Sequence, residues 1–108
     1  MQPIRKSQTG VGTTDWIPMD IHRDPFNAGF GVVVDGTATY SVEHTFWPNI
    51  FTDATVPADE VFPHETITAQ TDNADGNYAF PVTAVRLNVT AGDGTAELTI
   101  IQAGIRGG

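Results

Sequence analysis

The sequence predicts an all-β protein: a single antiparallel β-sandwich or barrel-like domain built from hairpins, with an extended N-terminal arm. Good helix formers are sparse, whereas Thr, Val, Gly, Pro and Asp dominate, and this composition favours strands joined by tight turns. Two Asp-Gly pairs, at positions 35–36 and 93–94, lie between runs of alternating residues. Such pairs are the strongest short-range signal of a β-hairpin.

The length and composition predict one folded unit. A chain of 108 residues with 40% hydrophobic content suffices for one packed core without disulfides or metals. We expect an N-terminal arm over residues 1–13, the β domain over residues 14–104 and a flexible C-terminal tail over residues 105–108. The sequence contains no cysteine, which excludes thiol catalysis, thiolate zinc sites and disulfide bonds.

The first strand of the domain is predicted between Asp15 and Ile21, where the apolar positions suit a strand. Pro18 lies inside this segment and has no backbone N–H to donate. The segment is therefore expected at a sheet edge or at the end of a strand.

The first predicted hairpin turns at Asp35-Gly36. Its register places Gly31 opposite Tyr40, and a large aromatic residue across from a strand glycine compensates for the missing side chain. Tyr40 and Val42 are therefore expected to face the core.

The same alternation places Phe30, Val32 and Val34 on the outer face of this hairpin. An apolar row is rarely left bare, so we expect it to be covered, either by another part of the chain or by a neighbouring subunit.

The second predicted hairpin turns at Asp93-Gly94. Its register places Val89 opposite Leu98 and Leu87 opposite Ile100, so that apolar residues meet on one face.

Between the hairpins, the segment from Trp47 to Glu65 contains three prolines and shows neither the helix nor the strand period. We interpret it as a long irregular excursion, a kind of segment that is often functional. Residues 72–77 are rich in Asp, Asn and Gly and are interpreted as a turn cluster rather than a calcium loop, because the distal Glu and flanking helices of such a loop are missing.

No pattern of catalytic or metal-binding residues is present. His22, His44 and His64 lie far apart, without the spacing of a metal motif, and there is neither a nucleophile elbow nor a phosphate-binding loop. We expect His44 to be hydrogen-bonded and half-buried, and His22 and His64 to lie on the surface. The expected protein is not an enzyme and has no catalytic residue, cofactor or metal.

The net charge and the distribution of apolar residues predict which classes of partner are excluded. A formal net charge of −8 opposes binding to a phosphate backbone, which depends on Lys and Arg, so we expect no nucleic acid partner. No stretch approaches the roughly 20 apolar residues of a membrane span, and the N-terminus lacks the apolar segment of a signal peptide. We expect no membrane partner and synthesis in a cytoplasm.

Four blocks are distributed over most of the length of the chain: residues 15–20 with 24–26, residues 38–45, residues 81–90 and residues 98–104. These blocks resemble a pattern found in small tailed-bacteriophage proteins, which are similar in size and β content to head decoration, cement and fibre-base domains. The resemblance implies a virion structural protein, made in the host bacterial cytoplasm, whose partners are the major capsid protein or other virion proteins. It supplies no functional residue.

The leading hypothesis is therefore a capsid decoration or cement protein that stabilises the head shell by adding buried surface between its subunits. The alternatives are a tail, neck or fibre-base structural module, or a carbohydrate- or receptor-binding β-sandwich. In the last case, stacking platforms would come from aromatic residues such as Trp16, Trp47, Phe51 and Phe62.

We expect a homo-oligomer, because the apolar outer row and the irregular excursion both offer surface for contact. The basic arm offers a complement to an acidic neighbour. The candidate interface residues are Phe30, Val32, Trp47, Phe51, Phe62, Arg5 and Lys6.

Overall fold

The computed structural model of the chain describes residues 3–21, 23–48, 50 and 55–106, and the side chains of all of these except 23–25 and 103–106. Within these ranges the chain forms nine strands and a single 3₁₀ turn, Ala58–Glu60, and no helix there is long and apolar enough to cross a membrane. The all-β prediction is confirmed. The strands are β1 (Ile4–Thr9), β2 (Gly12–Thr13), β3 (Ile17–Pro18), β4 (Arg23–Asp35), β5 (Thr39–Thr45), β6 (Val61–Pro63), β7 (Ala74–Tyr78), β8 (Ala84–Ala91) and β9 (Thr95–Arg106).

Two antiparallel sheets pack face to face as a sandwich. Sheet 1 has the strand order β1-β9-β4-β7, and sheet 2 has the order β2-β8-β5-β6, with β3 also paired to β8. Apolar side chains alternate toward the space between the sheets, as in strands that bury one face and expose the other. The core is therefore built from both sheets.

Both Asp-Gly turns connect the two sheets instead of closing hairpins. The strands before and after each turn lie in different sheets, since β4 and β9 pair with each other in sheet 1 and β5 and β8 pair in sheet 2. The predicted hairpin registers are therefore wrong, including Gly31 opposite Tyr40. The observed Cα partners are Val89 with Tyr40, Leu87 with Val42, Leu98 with Val32, and Ile100 with Phe30.

The predicted outward orientation of Phe30 and Val32 is also wrong, since they are only 5% and 1% exposed. Because β4 and β5 lie in opposite sheets, inward-facing residues on both strands point into the same core. Tyr40 and Val42 are buried in that core, as predicted. Phe30 and Val32 therefore contribute to the chain's own interior and not to a surface contact.

The two connections between the sheets lie against each other at one end of the sandwich. The Gly94 N–H donates to the Thr37 carbonyl oxygen at 2.8 Å. Gly92 has a φ of +93°, and a Cβ added there would overlap the same carbonyl group, while one added at Gly94 would come within 2.6 Å of the Asp35 oxygen. Glycine is thus required here for close backbone approach.

Most of the predicted N-terminal arm belongs to the sandwich. β1 pairs with β9 from Ile4 to Thr9, and β2 pairs with β8 at Gly12 and Thr13. At the other terminus, β9 continues through Arg106, so the first two residues of the predicted tail are strand residues, and residues 107–108 lie outside the described ranges.

Two other segments show how neighbours decide local structure. β3 contains Pro18 and pairs only at Ile17 and Pro18, as expected for a proline-bearing edge segment. The predicted turn cluster is instead largely strand β7, where Gly76 pairs with Phe30. The ring of Phe30 lies 3.0 Å from the position of a Cβ at Gly76. The aromatic compensation predicted between Gly31 and Tyr40 is therefore found between Gly76 and Phe30.

Candidate functional site

A cluster of aromatic rings lies at one corner of the sandwich, where β5 and β7 end beside β6. His44, near the end of β5, lies at its centre, with neighbouring ring centroids 4.9–5.9 Å away. These distances are typical of aromatic pairs in edge-to-face or stacked contact. We call this group the aromatic cluster, and its members are Phe30, His44, Phe46, Phe62, His64, Tyr78 and Phe80.

His44 is held inside the cluster by a hydrogen bond. Its Nδ1 lies 2.9 Å from the hydroxyl of Tyr78, and the residue is 7% exposed. Burial lowers the pKa of His44 below its ordinary value, and His64 lowers that pKa further. Burial likewise raises the pKa of Tyr78, with a further contribution from Glu43. The pair therefore holds its neutral form. The predicted hydrogen bonding of His44 is confirmed, whereas the residue is buried rather than half-buried.

His64 is buried, which corrects the expectation that it lies on the surface. Its Nδ1 accepts the backbone N–H groups of Thr66 and Ile67, each at 3.1 Å, so its Nε2–H donates to the carbonyl oxygen of Asn77 at 3.0 Å. This ring ties the segment after β6 to β7 and closes that edge of the sandwich. His22, the third histidine, lies outside the described residues.

Three phenylalanines of the cluster remain half-exposed around His44. Phe46, Phe62 and Phe80 are 46%, 41% and 47% exposed, and the ring of Phe46 lies 5.8 Å from Phe62 and 6.3 Å from Phe80. Because an aromatic side chain has on the order of 200 Å² of surface, the three rings together expose roughly 250 Å². We call this surface the phenylalanine patch.

The phenylalanine patch was only partly predicted from the sequence. Phe62 was among the candidate interface residues, whereas Phe46 and Phe80 were not. Phe46 follows β5 directly, and Phe80 follows β7 two residues after its end. The available signal was an aromatic residue just beyond the end of a strand, where it has no partner in the ladder.

The structure also describes three other candidate interface residues, Arg5, Lys6 and Trp47. Arg5 and Lys6 lie on β1, at the opposite edge of the sandwich. Trp47 is half-buried, and its backbone N–H donates to the Thr45 hydroxyl at 3.1 Å. Phe51 lies outside the described residues.

A second candidate surface is a groove of about 420 Å³ beside Trp16, on the outer side of sheet 2. The Arg86 guanidinium covers the indole ring at 4.4 Å from its centroid. Arg86 Nε also donates to Glu43 at 2.8 Å, and Asn88 donates to the second Glu43 oxygen at 3.1 Å. The polar groups near this tryptophan are thus largely engaged with one another, which disfavours Trp16 as a sugar-stacking platform.

Among the described residues, no group of three or more His, Asp or Glu side chains is placed to hold a metal ion. The chemistry of the aromatic cluster is that of packing and hydrogen bonding. Such a surface suits binding to another protein surface.

The fold of the chain is similar to that of a solved structure. No protein-family model matches the sequence, and no curated protein matches it. The fold is similar to a chain from a solved Bacillus structure described as "Bacillus endospore appendages form a novel family of disulfide-linked pili". The TM-score is 0.54 and the sequence identity is 17%, over 96% of this chain and 86% of that chain. At this identity the similarity concerns the fold alone.

Proposed function

We propose that this protein is a structural subunit that assembles with copies of itself, and that the phenylalanine patch is part of the contact. The observation that carries the proposal is the grouping of Phe46, Phe62 and Phe80, all more than 40% exposed, around a buried histidine. Aromatic residues are enriched at protein–protein contacts, where a few well-packed residues contribute most of the binding energy.

Burial of the patch contributes to a contact, but a stable interface needs more buried surface. Covering roughly 250 Å² of apolar surface contributes about 6 kcal/mol at about 25 cal/mol per Å², before the cost of association. A stable interface buries about 800 Å² on each partner. The contact therefore extends beyond the patch along the edge formed by β6 and β7.

The fold neighbour supports the proposal, because the endospore appendages of that structure are described as pili. Those pili are disulfide-linked, whereas this chain has no cysteine. Any assembly of this chain must therefore be held by non-covalent contacts or by other covalent chemistry. A structural role without catalysis follows from the same proposal.

The test is light scattering coupled to sizing chromatography, together with negative-stain electron microscopy, over a wide concentration range. The wild type is expected to form multimers, and Phe62→Ser with Phe80→Ser is expected to reduce them while the circular dichroism spectrum keeps its β signature. Ile21→Ser is the matched control, because Ile21 is similarly exposed at 46% and lies outside the cluster. A wild type that stays monomeric at every concentration contradicts the proposal.

A more specific form of the proposal is a bacteriophage virion protein that decorates or cements the head, located in the virion with the major capsid protein as its partner. It rests on the sequence blocks that resemble small tailed-phage proteins. Mass spectrometry of purified particles is the test: a copy number near that of the major capsid protein supports decoration, a handful per particle supports a tail or fibre part, and absence contradicts the virion assignment.

A further inference from the structure

We propose that the copies join head to tail, with the basic β1/β2 edge of one sandwich docking on the acidic β6/β7 edge of a second copy. The proposal rests on the self-assembly proposed above and specifies the two surfaces and their orientation.

The β6/β7 edge is acidic throughout. The sequence contains no Lys or Arg between Asp24 and Val85, a stretch that includes both strands. Asp59 and Glu60 immediately precede β6. Glu65, Asp72 and Asp75 are all exposed along the same edge. Asp59 and Glu60 lie within three residues of Phe62 in the phenylalanine patch, whereas Asp72 lies beside Gly36 at the other end of the edge. This edge therefore combines apolar surface with unbalanced negative charge.

The β1/β2 edge holds two of the chain's few cations, with the carboxylates of Glu97 and Asp15 nearby, and it includes an exposed apolar residue. Arg5 and Lys6 are two of the five Lys and Arg residues in the chain, and both lie on the outermost strand of sheet 1. The Arg5 side chain is 70% exposed, and its salt bridge to Glu97, at 3.5 Å with both groups exposed, is weak and easily exchanged. Val11, in the turn that joins β1 to β2, is 67% exposed.

The two edges are complementary in charge, in apolar content and in the direction of their side chains. The alternating burial of β1 and β7 places Arg5 and Asp75 on the outer face of sheet 1. When β1 of one copy lies beside β7 of the next, these side chains share one face. A cation near an exposed phenylalanine gains a further attraction to the ring.

The net charge explains why this orientation is selected. Copies of a chain with a net charge of −8 repel one another at long range. At contact, within a Debye length of about 10 Å at moderate salt, only an orientation that pairs the basic edge with an acidic surface is attractive. Because the two edges differ, the contact is heterologous and produces a ring or a filament rather than a closed dimer.

The experiment uses two charge-reversal variants of the full chain. The first, Arg5→Glu with Lys6→Glu, makes both edges acidic; the second, Glu65→Lys with Asp75→Lys, makes the β6/β7 edge basic. Asp35→Lys with Asp93→Lys is the matched control, since it changes the net charge as the second variant does but at the end of the sandwich. Melting temperature reports folding, and Asp59→Lys with Glu65→Lys replaces the second variant if the change in β7 prevents folding.

At low ionic strength, each edge variant alone is expected to assemble at least about tenfold more weakly than the wild type, while the control assembles as well as or better than the wild type. An equal mixture of the two edge variants is expected to restore assembly, because each then meets a complementary edge on the other. Light scattering measures the mass of the assemblies. Labelled variants show whether the two edge variants alternate within one assembly.

Three outcomes would overturn the edge assignment while leaving self-assembly intact: both edge variants assembling like the wild type, the mixture failing to restore assembly, or the control losing as much as the second variant. A wild type that remains monomeric overturns both proposals.

Discussion

The protonation of His44 affects the stability of the folded protein. The pKa of His44 is lowered by burial and by His64, so the folded protein holds the neutral ring where the unfolded chain, with a pKa of about 6.5, takes up a proton. The unfolded state therefore binds more protons below that value, and the free energy of unfolding falls as the pH falls from about 6.5 through the lowered pKa.

We predict a decrease in melting temperature over this pH range that is smaller in His44→Asn, whose amide preserves a polar atom near Tyr78. The measurement is thermal unfolding between neutral and mildly acidic pH for both proteins. Equal pH dependence of the two melting temperatures would assign the effect to the carboxylates instead.

Gly92 and Gly94 allow the two connections between the sheets to lie close together. Gly92→Ala places a Cβ against the Thr37 carbonyl group and also requires a positive φ, so we expect it to lower the free energy of unfolding by about 2 kcal/mol or more. Gly31→Ala is the control, since a Cβ there has only the Ala74 oxygen, at 4.0 Å, nearby. We expect that change to be neutral or stabilising, by up to about 1 kcal/mol. Chemical denaturation of both variants is the measurement.

At the scale of elements, β1 shows that an apparent arm is an integral strand. It pairs with β9 at every position from Ile4 to Thr9, and Ile4 packs against the core. The composition of β1 is polar, so its own residues give little indication of a strand. The pairing with β9 is what makes this segment a strand.

We predict that deleting residues 1–9 lowers the melting temperature strongly or prevents folding, because it exposes the edge of β9 and the side of the core that β1 covers. Deleting residues 1–3 leaves β1 whole and is expected to have little effect. If both deletions melt like the full chain, β1 would be a detachable arm after all.

For the whole molecule, the Asp-Gly connections between the two sheets affect the rate of folding. Each strand before an Asp-Gly turn pairs with strands distant in sequence, as β4 does with β9. Pairing of that kind requires long loops to close before contacts form, and sandwiches of this type fold on the order of milliseconds to seconds.

We therefore predict folding in this range, measured by stopped-flow fluorescence of the two tryptophans after dilution from denaturant. A sandwich assembled from two local hairpins would fold faster. Refolding in microseconds would show that the pairing of distant strands does not limit the folding rate.

The sequence by itself determined the all-β class, the shared inward face of Leu87 and Leu98 and the edge position of Pro18. It also predicted that Tyr40 and Val42 face the core, although the Gly31–Tyr40 pairing used for that prediction does not form. These follow from alternation, from the missing proline N–H and from local composition, which are properties of a strand and its immediate neighbours. Alternation indicates which side chains face a core, but it does not indicate from which sheet they face it.

Only the tertiary structure decided that the Asp-Gly turns cross between sheets, that Phe30 and Val32 are interior, and that Phe46, Phe62 and Phe80 meet around His44. These facts depend on which distant strands pair, and that is set by the packing energy of the whole sandwich together with the close approach of Gly92 and Gly94 to their neighbours.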